Sequence, residues 1–345
     1  MEQVAGEINR RLQSLEDIHH LLRSLRAMSA IRWRRARMRL QSAQEYASAV
    51  DRQLAIAITL PTALTRGWHH TPPPSPSLQR EGQHAQRETK HRDRGDRGLA
   101  DTGQPRPPGK GDDEAQRSVG LIALTSDRGL CGTFNANLVS HALDFIRRER
   151  ERNREVKVIA LGGYGERFFR DADCHLLYTQ HFPLTRAISF VEARDIIAKV
   201  KHFYESRAFD TLYLVYNRFV SFGRYQRIEL RLLPPDLGAV RRQTRKLPQT
   251  GRPVPLEDVV LGTPPQDLQD FLLWEHLAVQ VYLALIESMV SEQGARLQTM
   301  DTAISNLDER VEKLQLQYHA IRQERITQEV LEVQSNTRRR TIYSA

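Results

Sequence analysis

Apolar residues at both ends of the chain recur at helical spacing over long stretches. Near the N-terminus they are separated by three or four residues, at Ile8, Leu12, Leu15, Ile18, Leu22 and Leu25. Near the C-terminus steps of three and four alternate without a break, at Leu297, Met300, Ile304, Leu307, Val311, Leu314, Tyr318 and Ile321. Such spacing is typical of helices that pack along a coiled-coil seam. The sequence therefore predicts a long helix over residues 1–60 and another within 266–345 that pair antiparallel. The second is followed by a basic tail, which contains three arginines at 338–340.

The seam of this coiled coil is predicted to include six of the apolar positions, three from each helix. They are Leu12, Leu15, Leu22, Leu307, Val311 and Leu314. The stretch 271–290 is apolar almost all round, which is typical of a helix that is buried on more than one side. We expect it to pack against both the N-terminal helix and the middle of the chain.

The middle of the chain, residues 118–233, alternates strand and helix patterns. Continuous apolar runs at 119–125 and 156–161 are typical of buried parallel strands. With the segments that follow, the order is βαβαβαββ, which indicates an α/β layer domain with a Rossmann-like sheet. A connector rich in proline and glycine is predicted at 234–265. The fold class is thus α/β, with a long antiparallel coiled coil formed by the chain ends.

Residues 61–117 differ from the rest of the chain in composition. They hold eight of the 16 prolines and few large apolar residues. Such a segment cannot offset its ordering entropy by burial, so we predict a disordered insertion.

A membrane-spanning segment is not predicted. Within the most apolar stretch, Glu275 and Glu287 leave room for far fewer than the roughly 20 apolar residues that a spanning helix needs. The chain is therefore expected to be soluble or peripheral to a membrane.

The net charge of +9 and the pI of about 9.7 favour acidic partners. Five arginines lie between positions 32 and 39, among them Arg32, Arg34 and Arg35. On a helix they are either a solvated face or a contact with acidic loops of a partner or with nucleic acid. The two cysteines are too few for a disulfide framework, which favours a reducing compartment.

The loop at 126–135 follows the first strand, where α/β proteins often bind phosphates. It lacks the spacing and the lysine of a phosphate-binding P-loop, so a tight turn is the favoured interpretation. Cys131 is interpreted as a packed cysteine, because no histidine and orienting group accompany it in the pattern of a nucleophile. No catalytic, cofactor-binding or metal-binding constellation is predicted.

Three runs of residues resemble the gamma subunit of the F-type ATP synthase. The loop after the first strand resembles the family motif S/T-D-R-G-L-C-G-x-x-N through six positions, Asp127, Arg128, Gly129, Cys131, Gly132 and Asn135. A second run, 291–306, contains Arg296 and resembles the C-terminal helix signature of the family. A third, 318–330, matches a Y-N-x-x-R-Q-x-x-I-T-x-E-L run through Arg322, Gln323, Thr327 and Glu329.

The resemblance implies a non-catalytic rotor shaft without a cofactor. Its partners would be the alpha and beta subunits of the ring, the epsilon subunit and the membrane c-ring, with no nucleic acid. The residues expected to contact partners are Leu25, Met28, Arg32, Arg34, Arg35, Arg296, Arg322, Gln323, Thr327 and Glu329. The shaft would couple ion flow to ATP synthesis or hydrolysis, as a peripheral protein at the cytoplasmic face of the plasma membrane.

Two other classes of protein stay open at this point. The high pI and the arginine cluster are also compatible with a coiled-coil protein that binds nucleic acid or acts as a scaffold. The loop at 126–135 alone suggests an α/β enzyme with helical extensions. Steeply salt-dependent DNA binding would favour the first class, and bound nucleotide would favour the second.

Overall fold

The computed structural model describes residues 2–58, 118–182, 188–246 and 264–343. Side chains are described over 6–58, 118–182, 188–242 and 264–331. The predicted insertion at 61–117 lies outside the described residues. The described residues form eleven elements, which are α1 (Glu2–Ala57), β1 (Val119–Leu124), α2 (Phe134–Glu151), β2 (Val156–Leu161), α3 (Gly163–Asp171), β3 (His175–Gln180), α4 (Phe190–Glu205), β4 (Thr211–Ser221), β5 (Arg224–Leu233), α5 (Leu237–Lys246) and α6 (Pro265–Tyr343).

One five-stranded sheet lies at the centre of the α/β domain, in the order β3-β2-β1-β4-β5. β1 pairs in parallel with β2 and β4, and β2 pairs in parallel with β3. β5 runs antiparallel to β4 after a hairpin turn at Gly223, where a φ of +69° suits a glycine. All six residues of β1 are buried, as its unbroken apolar run predicts. The order βαβαβαββ and the α/β class are confirmed.

Helices cover both faces of the sheet. On one face, α2 packs Leu138 and Phe145 against Leu121 and Val158. On the other, residues of α4 and α6 share a core with the alternate side chains of the strands, among them Leu124. The sheet thus fixes the position of the middle of α6, which continues far beyond the domain.

The two long helices pair antiparallel, as predicted. Three polar pairs mark the register, namely Asp51–His276 at 2.7 Å, Arg26–Asp301, and His19–Asp308 at 3.1 Å. As the residue number falls along α1, it rises by the same amount along α6. Extended by equal steps, this register places residue 6 of α1 opposite residue 321 of α6. Glu2, where α1 begins, then lies opposite residue 325, and α6 extends beyond its partner from about that residue.

The apolar spacing identifies the seam correctly on α6 but not at one position of α1. From Leu297 to Ile321 every predicted seam residue of α6 is buried or half-buried. On α1, Ile18 was placed in the stripe but is 45% exposed, and the seam contains the half-buried His19 instead. At about 100° per residue, position 18 is rotated roughly 120° away from position 12, whereas position 19 is rotated only about 20°.

The stretch 271–290 of α6 is enclosed from several sides, as its all-round apolar surface predicts. Leu277 and Leu285 face the sheet, whereas Val279 and Ile286 pack against α1. By length and composition alone α6 could cross a membrane, since one 18-residue window has a mean hydropathy of 1.2. However, 61% of that window is buried inside the protein, as in the core helix of a water-soluble fold.

The connector predicted at 234–265 contains a helix that its composition does not predict. α5 (Leu237–Lys246) packs Val240 against Leu54 at the end of α1 and against Leu272 and Leu273 of α6. Its large apolar residues lie only in its first turn and are too few to give a clear period, so its place depends on tertiary contacts. α6 also continues as helix through the predicted basic tail to Tyr343.

Candidate functional site

The loop after β1 is a tight turn held by the side chain of Asn135. Its Oδ1 accepts a hydrogen bond from the backbone N–H of Ser126 at 2.9 Å, and its Nδ2 donates to Ser126 Oγ at 2.7 Å. The same Nδ2 lies 3.4 Å from the sulfur of Cys131. Asn135 is 2% exposed, so these bonds are shielded from water. The structure supports the interpretation of this loop as a turn.

Asp127 joins three elements at the carboxyl end of the sheet. One carboxylate oxygen accepts from the N–H of Gly163 at the start of α3, and the other accepts from the N–H of Phe182 just after β3, both at 2.7 Å. Because both oxygens already accept hydrogen bonds, Asp127 serves the fold rather than proton transfer. Nearby, a Cβ at Gly162 would lie 2.2 Å from the carbonyl oxygen of Thr125, so close packing requires this glycine.

Cys131 is a packed side chain, as predicted. It is 2% exposed and lies against Phe134 and Ala295 of α6. Burial raises the pKa of its thiol, the charge of Glu292 raises it further, and Arg296 opposes the shift. A thiol in this state is a poor nucleophile.

Arg296, which the resemblance predicts to contact a partner, has its hydrogen-bond partners within this chain. Its side chain is buried, and its guanidinium donates to the Glu292 carboxylate at 2.6 Å and to the Gly129 carbonyl at 3.2 Å. Burial raises the pKa of Glu292, and the charge of Arg296 counteracts the shift. Gly132, with a φ of +59°, packs on Thr299 nearby. Arg296 therefore fastens the loop to α6.

The arginine cluster of α1 is distributed around the helix. Arg34 and Arg35 are exposed and Arg32 is half-buried, and none of the three has an ion-pair partner among the described residues. Trp33 packs edge-to-face on Phe222 of the β4–β5 hairpin, with 5.4 Å between ring centroids. It is therefore unavailable for stacking on bases, and the free arginines are surface cations.

Two further residues of α1 were predicted to contact partners. Leu25 is half-buried in the seam with α6, whereas Met28 is 45% exposed. Met28 therefore exposes more of its side chain to a partner than Leu25 does.

The predicted contact residues of α6 lie at the end of its pairing with α1 and beyond it. Arg322 and Gln323 lie opposite the first turn of α1, and Thr327 and Glu329 lie past it. Arg322, Gln323, Thr327 and Glu329 are all exposed. Thr327 donates to the backbone carbonyl of Gln323 at 2.9 Å, and Glu329 pairs with Arg325 at 3.3 Å. Within the described residues, the side chains of Arg322 and Gln323 have no hydrogen-bond partner. From about residue 325 onward this segment has no second helix beside it, and its polar and apolar side chains are exposed.

The described residues contain no group of three or more His, Cys, Asp or Glu side chains that could hold a metal ion. Sequence reasoning missed the contributions of Glu292 and Gln293. Both lie beside the loop at 126–135 only because α6 crosses the end of the sheet, and a signal of that kind is not local in the sequence.

Comparisons with known proteins agree over nearly the whole chain. The family profile described as ATP synthase matches residues 5–337. The ATP synthase gamma chain of Geobacter metallireducens is 33% identical over 213 residues, covering 62% of this chain and 70% of that relative. The ATP synthase gamma chain of Alkaliphilus metalliredigens is 28% identical over 335 residues, covering 95% of this chain and 96% of that relative.

A solved structure has the same fold. The rotor of the Euglena gracilis mitochondrial ATP synthase matches with a TM-score of 0.59 at 15% identity, covering 94% of this chain and 100% of the matched chain. A Tetrahymena thermophila central stalk with its c-ring matches with a TM-score of 0.50 at 18% identity, covering 82% and 99% of the two chains.

Proposed function

This chain belongs to the gamma-chain family of the F-type ATP synthase, and we propose that its coiled coil transmits rotation through the contacts described below. As a gamma chain it is the central rotor stalk of that enzyme and associates peripherally with a membrane. The observation that carries the proposed mechanism is the rod: two long antiparallel helices, anchored on an α/β domain, with α6 extending beyond α1.

The rod is built to transmit force between its ends. The part of the rod beside the α/β domain, its lower part, is fixed to the sheet by the apolar stretch 271–290. The part farther from the domain, its upper part, has a seam of apolar side chains. Close packing makes such an interior resist deformation, so a turn of the α/β domain carries the rod with it. The rod has no symmetry, so the catalytic subunits around it meet different faces. Differential contact of this kind is sufficient to bias each of them toward a different state.

The shaft itself performs no chemistry in this proposal. The most conspicuous loop, 126–135, uses its polar groups for internal hydrogen bonds, and its cysteine is buried with a raised pKa. The catalytic role therefore lies with the surrounding alpha and beta subunits, and this chain needs no cofactor.

The contacts with the ring are assigned to charged and polar residues of both helices. Arg322 and Gln323 extend from α6 without an internal partner, next to Thr327 and Glu329. Arg32, Arg34 and Arg35 lie lower on the rod and suit acidic loops of the beta subunits. Arg128 is exposed in the loop after β1, at the carboxyl end of the sheet.

The opposite end of the molecule is assigned to the membrane side. The Tetrahymena neighbour is a central stalk with a c-ring. By analogy, the α/β domain would meet the c-ring and the epsilon subunit, at the cytoplasmic face of the plasma membrane. A nucleic-acid-binding function is not supported, since the family accounts for the rod and for the basic surface.

The test is steady-state ATP hydrolysis by complexes that are rebuilt with single variants of this chain. Arg322→Ala should slow turnover more than Gln323→Ala, because a charge-assisted hydrogen bond contributes about 1.5–3 kcal/mol and a neutral one about 0.5–1.5 kcal/mol. Arg310→Ala is the matched control, an exposed arginine of the same helix within the paired part of the rod.

Turnover with Arg310→Ala should be close to that of the unchanged complex. If Arg322→Ala and Gln323→Ala also turn over at that rate and pump ions normally, the assigned contact is wrong. Circular dichroism of each variant verifies that folding is not the cause of a loss.

A further inference from the structure

A cavity of about 420 Å³ lies between α1, α6 and the carboxyl end of β1. Most of its wall is apolar and comes from four separate parts of the chain. These side chains are Met28, Leu124, Phe182, Ile188, Leu285 and Met289. Its volume falls in the range of small-molecule sites. The carboxyl end of the strands is also where open α/β sheets bind ligands.

One wall of the cavity is cationic. Arg32, Arg35 and Arg39 follow one another along the same side of α1 and all line it. Arg32 and Arg35 form no hydrogen bond or ion pair with the described residues. Arg39 only reaches the carbonyl of Ile188, at 3.5 Å. Three guanidinium groups are thus available to an anion in the cavity.

The two carboxylates that line the cavity already have hydrogen-bond partners. Asp127 accepts hydrogen bonds from two backbone N–H groups through its two oxygens. Glu292 accepts from Arg296 at 2.6 Å. Arg296 balances the charge of Glu292, and the three arginines of the wall outnumber the single negative charge of Asp127, so the wall is positive in net charge.

A buried amide also lacks a partner here. Gln293 lines the cavity and is only 3% exposed, yet its Oε1 has no hydrogen-bond partner among the described residues. Its Nε2 donates to Glu292 Oε1 at 3.5 Å, which is long for a hydrogen bond. Leaving such a group unsatisfied costs free energy, so a partner from outside the chain would be bound favourably.

We propose that this cavity binds a small organic anion with an apolar body. Its carboxylate or phosphate is held by Arg32 and Arg35, its body lies against the apolar wall, and a polar group on it bonds to the amide of Gln293. The ligand would touch α1, α6 and the end of β1 together, at the point where the rod joins the α/β domain. Arg32 and Arg35 are also assigned to the contact with the ring, so the site is tested in the isolated chain, where the ring is absent.

The test is isothermal titration of the full-length chain with two separate probes, decanoate as an aliphatic carboxylate and AMP as a nucleoside monophosphate. Saturable binding of either probe supports the site, and the comparison decides which anion it takes. Arg32→Ala/Arg35→Ala should weaken that binding by about tenfold or more, because charge-assisted hydrogen bonds are roughly twice as strong as neutral ones. Gln293→Met should weaken it by about threefold to tenfold.

The matched control is Arg34→Ala/Arg37→Ala, which removes the same charge at the same spacing of α1 but outside the cavity wall. Binding should be unchanged in this control. The proposal fails if neither probe binds, or if the two double variants lose affinity equally, because the attraction is then only diffuse charge. Circular dichroism shows whether each variant folds, and it separates loss of the site from loss of the structure.

Discussion

At the scale of single residues, the side chains that resemble family motifs mostly hold the fold. Asn135, Asp127 and Arg296 each connect the loop after β1 to another part of the chain. Their hydrogen bonds are internal and partly or fully shielded from water. The sequence motif at 126–135 looks like a binding site, but in the structure its residues connect the sheet to α6.

Asn135→Ala should therefore destabilise the chain although it touches no catalytic group. The change leaves the buried N–H of Ser126 without its acceptor, which costs about 1–3 kcal/mol of unfolding free energy. Urea unfolding measures the effect. Asn137→Ala is the control, since Asn137 bonds only to the side chain of Thr133 on the helix surface and its loss should cost below about 0.5 kcal/mol. Equal losses for both would contradict the assigned role.

The two cysteines should differ in reactivity. Burial raises the pKa of both thiols, but Cys131 is only 2% exposed whereas Cys174 is half-buried, so a reagent reaches Cys174 more easily. At pH 8 Cys131 should react with iodoacetamide at least about tenfold more slowly than the half-buried Cys174, and the difference should vanish in denaturant. Mass spectrometry of the alkylated peptides measures both sites. Rapid labelling of Cys131 in the folded chain would show that the loop opens easily.

At the scale of secondary structure elements, α6 has two regimes. Its first part is enclosed by the sheet and by α1, and its later part has one buried stripe and then none. A single helix therefore has positions where an identical substitution should have very different effects.

Leu285→Ala and Leu316→Ala test this difference with the same chemical change. Leu285 is 3% exposed and packs on the sheet, so the change should cost about 2–5 kcal/mol of unfolding free energy. Leu316 is 65% exposed, and the expected cost is below about 0.5 kcal/mol. Chemical denaturation measures both. Similar costs would mean that the first part of α6 is not anchored on the sheet.

At the scale of the whole molecule, stability and function are separated along the rod. The α/β domain and the lower coiled coil contain the described core, whereas every described side chain at 322–331 is exposed. The part assigned to the contact with the ring therefore contributes little to folding of the isolated chain.

Ending the chain at Ile321 should leave its unfolding free energy within about 0.5 kcal/mol of the full-length value, because no buried side chain of the described residues is lost. Complexes rebuilt with this chain should lose ATP synthesis. A chain ended at Asp301 is the comparison. It also lacks the seam from Ile304 to Ile321, so the N-terminal part of α1 should lose helicity by circular dichroism. A large loss of stability in the chain ended at Ile321 would contradict this division.

Most of the architecture was predictable from the sequence because its signals are periodic and long. The heptad of α6 extends over more than three repeats, and the strands β1 and β2 are unbroken apolar runs. The connector helix α5 was not predicted because its ten residues are too few to show an apolar period. Ile18 was misplaced for a related reason, since a local run of steps does not define the side of a helix that faces its partner.

The sequence by itself determined the two long helices, their antiparallel pairing, the α/β order between them and the family. These depend on spacing along the chain, which a helix or a strand converts directly into a face. Only the tertiary structure decided that Arg296 is buried under a loop 167 residues away, and that Arg32, Arg35 and Gln293 share one cavity. Contacts of this kind depend on where α6 crosses the end of the sheet, and the angle of that crossing is set by packing of the whole core rather than by any local pattern.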